Sequence, residues 1–318
     1  MMMARNVPVP ARGHWWTIAP NLLGRLRPPT IDDRRWSTIV PDPRPGGDPA
    51  QRLAGELGGL TSGDLYLLVH GLGGDADSPY MREAAVALQA RGCATLRLSM
   101  RGAGHSGPDF YHAGLASDLV TVLADPSLAA YRRIFVIGFS LGGHISVHLS
   151  FLASRDPRVR AIIAICAPLD LARNVVELDT PSGWIYRRHI LSGLAKIHAK
   201  VHPSASARPR RFRTIHEWDV ETIVPRWGFE SVEQYWRSQA AGPRLREAGI
   251  PILFVASEHD PMVPAVTVKP HLERAGSAVD IRWIRRGGHV GFPRDLDLGL
   301  PGPLGLIDQV LTWTTTKV

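Results

Sequence analysis

Residues 138–142 read Gly-Phe-Ser-Leu-Gly, a G-x-S-x-G pattern set directly after the apolar run RIFVIG and before the helix-like LGGHISVHLSFLA. A serine on a sharp strand-to-helix turn projects its Oγ into the open. Gly138 and Gly142, two residues to either side, let neighbouring backbone approach without a Cβ clash. The chemistry this suits is attack on a carbonyl carbon. A serine hydroxyl is a poor nucleophile at neutral pH, so it needs a base within hydrogen-bond reach and an acid to orient that base. On this kind of turn the chain order is serine, acid, histidine. Downstream, PILFVAS is followed by Glu258-His259-Asp260-Pro261, and VDIRWI by Arg285-Arg286-Gly287-Gly288-His289. Asp260 and His289 are the expected acid and base, with Glu258 the alternative acid. The oxyanion formed by the attack requires two backbone N–H donors, one after the nucleophile and one after an earlier strand. Leu141 supplies the first. LYLLVH leads into His70-Gly71-Leu72-Gly73-Gly74, a turn suited to aiming the Leu72 amide at the same point.

These residues need a scaffold that gathers loop ends from distant stretches of chain. Short, nearly continuous apolar runs occupy residues 65–70, 93–99, 133–138, 160–167, 251–257 and 279–284. Amphipathic stretches at 79–91, 113–123, 141–153 and 304–314 alternate with them. Such runs predict strands covered by helices on both faces, hence an α/β fold with a mostly parallel sheet. The alternation fails over 169–249, a segment rich in His, Arg, Trp and Tyr. It is expected to form a helical cap over the sheet's C-terminal edge, where ligands bind in open α/β folds. Residues 1–63, with Pro28-Pro29 and PDPRPGGDP, read as an irregular arm with one or two edge strands near 36–40. The expected division is an arm at 1–63, a core at 64–168 and 250–318, and a cap at 169–249.

Composition narrows the classes. The chain has 318 residues, 44% hydrophobic and 21% charged, which excludes wholesale disorder, collagen-like sequence and coiled coil. Two cysteines, Cys93 and Cys166, give no disulfide framework. The N-terminus interrupts any apolar export segment with Pro, Arg and His, and no run of about 18 apolar residues occurs, so a cytoplasmic protein without a membrane span is expected. The net charge of +8 would attract anions. No nucleic-acid motif accompanies it, so no nucleic-acid partner is expected. The run ARPRRFR at 207–213 reads as a solvated face. Trp15-Trp16 is expected to pack on the body, with peripheral contact to a membrane surface as the alternative. Gly102-Ala-Gly104-His-Ser-Gly107 is a literal G-x-G-x-x-G, but Pro108 to Tyr111 follow where a dinucleotide site would open a helix. His198 and His202 have the spacing of two ligands on a helix face, yet nothing completes a zinc signature. No cofactor and no metal are expected.

HGLGGDADSPYMREAA, RGAGHSGPDFYHAGLASDL, GFSLGGH, EHDPMVP and GGHVGF together resemble the α/β-hydrolase superfamily. Within it the likeness is to the YheT-like hydrolases, which are related to eukaryotic α/β-hydrolase-domain phospholipases and fatty-acid ethyl ester acyltransferase/esterases. HWWTIAPNLLGRL is similar to that group's Trp-rich entry segment. The resemblance implies the α/β-hydrolase fold and esterase-type acyl transfer through Ser140, Asp260 and His289. It also implies that the loop at 101–107 borders the site and that Asp118 is structural. His259 stands where the group commonly has Asp, and His144 where it often has Asn; both bear on substrate preference rather than on the triad. With Trp184, Trp218, Trp227 and Trp236 in the insertion, lipid or medium-chain acyl esters are the favoured small-molecule substrates. The alternatives are an alcohol acyltransferase on the same triad, a serine aminopeptidase, and a non-catalytic lipid- or ester-binding module. The aminopeptidase would need an acidic pocket that nothing in the insertion marks.

Overall fold

The computed structural model describes residues 9–44, 46, 50–61, 63–203 and 210–317. Among these, eight strands form one sheet in the order β1-β2-β4-β3-β5-β6-β7-β8. They are β1 (Arg34–Val40), β2 (Gln51–Gly58), β3 (Gly63–Val69), β4 (Ala94–Ser99), β5 (Tyr131–Phe139), β6 (Val159–Ile165), β7 (Ile252–Ser257) and β8 (Val279–Ile284). β2 runs antiparallel to both β1 and β4; every other pairing is parallel. Parallel pairing requires crossovers. Helices α2 (Pro79–Gln89), α3 (Ser117–Leu123) and α4 (Leu141–Ser150) make the first three, with α10 (Ala265–Leu272) between β7 and β8 and α11 (Leu306–Lys317) last.

The period-2 alternation of a strand explains why the central runs are apolar throughout. In β3, Leu65, Leu67 and Val69 point into one layer with Leu119 and Ile145. Tyr66 and Leu68 point into the other with Met81, Leu88 and Trp313. Each layer is closed by helices, so neither face of the strand meets water.

Between β6 and β7 the chain forms α5 (Leu171–Leu178), α6 (Trp184–Val201), α7 (Ile215–Trp218), α8 (Val224–Trp227) and α9 (Val232–Ser238), with a π-helical turn at Asp219–Ile223. The insertion is helical, as its sequence implied. His198 and His202 pack their rings on each other and on Phe110, and His198 also packs on Phe212 and Trp218. Of the basic run, residues 207–209 lie outside the described residues; Arg210 pairs at the surface with Glu217 and Glu221. Among the described residues no helix is long and apolar enough to cross a membrane.

The N-terminal region departs from expectation. Residues 11–26 are not irregular: they form α1 (Ala11–Leu26), with Pro20 inside it. A second strand, β2, lies at 51–58, where Arg52, Glu56 and three small residues hide the usual pattern. Nor does the whole Trp pair pack on the body. Gly13, Thr17 and Gly24 face inward, whereas Trp15 is 65% exposed and Ile18, Leu22 and Leu26 are exposed beside it. The small inward residues let the helix lie so close to the core that its bulky side chains turn outward. Cys93 and Cys166 are both free, and Cys93 precedes β4 rather than lying within it.

Candidate active site

Ser140 joins β5 to α4 at φ 52° and ψ −122°, in the left-handed half of the map that a side chain rarely occupies. The turn is tight enough that a Cβ on Gly138 would fall 2.3 Å from the Gly142 carbonyl oxygen. One on Gly142 would fall 2.3 Å from that of Val69. Ser140 N donates to Ile165 O at 2.8 Å, fixing the turn to the end of β6. Cys166 and Val290 are the other non-glycine residues with positive φ among the described ones. All three stand on loops at the carboxyl edge of the sheet, and such backbone costs roughly 1–3 kcal/mol each.

Asp260 and His289 meet as expected. Asp260 Oδ1 accepts the Met262 and Val263 amides at 2.8 and 2.9 Å, and its Oδ2 accepts His289 Nδ1 at 2.8 Å. A carboxylate only accepts, so Nδ1 is the donor in this bond. Both side chains are buried. Glu258, the alternative acid, instead faces Arg285 at 3.5 Å. Ser140 Oγ makes no hydrogen bond among the described residues. Its link to the pair runs through the end of β6, because Cys166 follows Ile165 and has its Sγ within 4.8 Å of ligand atoms on Asp260 and His289. That trio has metal-like spacing. Asp260 and His289 are already bonded to each other, however, and burial pushes the Cys166 thiol up, so the cluster is poorly suited to a cation.

Thr17, which no sequence signal marked, holds the histidine loop. Its Oγ1 accepts the His289 amide at 2.8 Å and donates to Gly13 O at 2.8 Å. A Cβ on Gly288 would come within 2.3 Å of Gly13 O, so the loop and α1 touch backbone to backbone. On the same helix Arg12 meets His259 and His14 meets Tyr186 of α6. The His259 departure is therefore a contact with α1.

The turn after β3 is held from beneath. Met100 N donates to His70 Nε2 at 3.0 Å, which leaves Nδ1–H to donate to Gly71 O at 2.7 Å. Burial lowers the His70 pKa, favouring that neutral form. Gly71 N and Gly73 N donate to the hydroxyls of Tyr80 and Tyr111. The intervening Leu72 amide has no acceptor among the described residues. Leu141 opens α4, where an amide has no partner within the helix.

Leu72, Ser140 and Leu141 line one cleft. Leu171, Val175, Leu178, Ile190 and Ile215 of the insertion wall it. Of the four tryptophans expected there, Trp218 and Trp236 line it. Trp184 is 54% exposed, and Trp227 packs on His112 and Arg226 instead. None of residues 101–107 lines the cleft, though Tyr111 does. That loop closes on itself through Gly102 N to Gly107 O, and buried Arg101 spans Asp109 and Asp118, the structural role expected of Asp118. His144, the other departure, is buried. Its ring nitrogens lie 2.7 Å from Pro168 O and from Gln239 O, tying α4 to the end of α9. Sequence reasoning also missed two polar residues of the cleft, Asn174 and Asp219. Burial pushes the Asp219 carboxyl up to about 7.

Several known proteins are similar to this chain. YheT of Escherichia coli, whose name assigns it provisionally to the esterases, is 26% identical over 71% of this chain and 69% of its own length. The monoacylglycerol lipase of Saccharomyces cerevisiae is 23% identical over 82% of the chain, which spans 60% of that relative. Among solved structures, the Pyrococcus furiosus esterase Pf2001 superposes with a TM-score of 0.54 over 82% of this chain and 85% of that one, at 18% identity, a likeness of fold. The profile of the alpha/beta hydrolase family matches residues 66–297, from within β3 to beyond the histidine loop. With that match over most of its length, and with a serine elbow and an Asp–His pair at the edge of the expected sheet, the chain belongs to the alpha/beta hydrolase family.

Proposed function

We propose that the protein is a serine hydrolase that cleaves carboxylic esters, with Ser140 as nucleophile, His289 as base and Asp260 as the acid that orients it. The observation that carries this is the 2.8 Å bond from His289 Nδ1 to Asp260, which leaves Nε2 as the free base on a loop at the edge where Ser140 is presented. In the complex with substrate, Oγ is to meet Nε2; such contacts commonly tighten only there. Nε2 then takes the hydroxyl proton as Oγ attacks the ester carbonyl, and Asp260 stabilises the imidazolium. The Leu72 and Leu141 amides receive the oxyanion, each worth on the order of 10²–10³ in rate. Collapse of the intermediate returns the proton to the leaving alcohol and leaves Ser140 acylated. Water activated by the same imidazole releases the acid.

Residues 169–249 act as a cap whose apolar wall receives a hydrocarbon chain, so lipid or medium-chain acyl esters are the proposed substrates. The names of the yeast monoacylglycerol lipase and of human phospholipase ABHD3, 22% identical over 58% of this chain, favour that class. The test is labelling by a fluorophosphonate. Wild-type protein should be labelled at residue 140 and Ser140→Ala should not; an unlabelled wild type overturns the assignment.

A further inference from the structure

Away from Ser140, two polar side chains of the cleft take no part in the mechanism above. Asn174, on α5, is 6% exposed; its Oδ1 is fully shielded without a hydrogen bond, and its NH2 makes none among the described residues. Leu171, Val175 and Leu178 share its helix face, so a leucine at 174 would complete an apolar wall. An amide there is penalised by burial unless something fills its valences. Asp219, on the π-helical turn after α7, is also 6% exposed. One of its oxygens accepts Trp236 Nε1 at 2.7 Å; the other makes no hydrogen bond among the described residues. The tyrosine hydroxyls of the lining already have partners, Tyr111 from Gly73 N and Tyr235 from Ala113 N.

A plain hydrocarbon chain would leave Asn174 and Asp219 facing methylenes. A hydroxyl matches both. It donates to a carboxylate or amide oxygen and accepts from an amide NH2, and a half-turn of the Asn174 amide lets either end face it. A keto oxygen only accepts, and an ammonium only donates. We infer that the cleft selects esters whose buried chain carries a hydroxyl group, held by Asn174 together with Asp219. This rests on the reading of Ser140 as nucleophile and narrows its substrate class.

The test compares kcat/KM for the p-nitrophenyl ester of a straight medium-chain acid, its hydroxylated isomers with the hydroxyl at each chain carbon in turn, and amino-bearing counterparts. At least one hydroxylated isomer should exceed the plain ester by about tenfold or more. Asn174→Leu should abolish that preference, lowering kcat/KM for the hydroxylated isomer about tenfold more than for the plain ester. Hydroxylated isomers all cleaved no faster than the plain ester, a preference that survives Asn174→Leu, or preference for an amine each overturns the inference. A second arm does not depend on the chemistry. In Ser140→Ala, the free hydroxy acid should raise the melting temperature more than the plain acid does, and adding Asn174→Leu should erase the difference; equal shifts overturn the inference. Fluorophosphonate labelling run alongside reports on Ser140 itself, so a failure of the nucleophile and a failure of the selectivity are told apart.

Discussion

The sheet's carboxyl edge and the inserted helices fix their side chains by different means. At the edge, positions are set by backbone: Ser140 N on Ile165 O, two amides on Asp260, the His289 amide on Thr17, and glycines where carbonyls come too near for a Cβ. In the insertion, positions are set by side-chain packing: Phe110, Phe212 and His198 around Trp218, and Trp236 hung from Asp219. Backbone contacts tolerate little change of geometry. Packed side chains tolerate substitution of similar volume, so the wall can alter while the residues at the edge stay fixed.

The contrast can be broken most sharply at the edge. Ser140→Ala should lower ester turnover by on the order of 10⁴–10⁶ without changing the melting temperature, measured by steady-state kinetics beside calorimetry. Asp260→Asn should cost about 10⁴ in kcat because the wrong imidazole tautomer is then held, whereas Glu258→Gln should leave kcat unchanged. Equal losses from the two acids would undo the assignment. In the wall, Trp218→Ala should cost about 3–5 kcal/mol of stability by urea unfolding and should act on KM for long acyl chains more than on kcat for acetate esters. Thr17→Val removes the acceptor beneath His289 and should lower kcat by about tenfold, with KM little changed. If kcat holds and only stability falls, α1 is a brace and not a positioning element.

The last effect is read from the dependence of stability on pH. Asp219 keeps its proton to about 7 in the folded protein, whereas an unfolded aspartate releases it near pH 4. The folded state thus binds more protons between those values. This group's contribution to stability falls as pH rises from about 4 to about 7, and is flat above. Burial lowers the pKa of His112 and His148 to about 3, so they act in the opposite sense below pH 6.5. Melting curves of wild type minus Asp219→Asn cancel them and should isolate the falling slope; a level difference curve would show that the carboxyl is not raised.

How much was legible in sequence follows the same division. The strand runs, the elbow and the acid and histidine loops could be read because buried parallel strands are continuously apolar and their ends carry glycine. β2 was hidden because Arg52 and Glu56 interrupt its apolar pattern, and α1 because Pro20 and the neighbouring prolines imitate a loop. Thr17 lies far from His289 along the chain, and nothing local marks such a pairing. Asn174 and Asp219 look like ordinary polar positions on helices; only the packing of α5 and the turn after α7 around a common space makes them conspicuous. The tryptophans were half legible, since composition says that aromatic area is present but not which side of a helix it lies on.

The bond from Thr17 to the His289 amide spans 272 positions of chain. During synthesis, α1 stays without this partner until the residues between them have been made. Loops closed over so long a stretch form late in folding. A chain cut before residue 289 therefore carries the elbow and most of the strands but lacks the imidazole proposed as the base for Ser140.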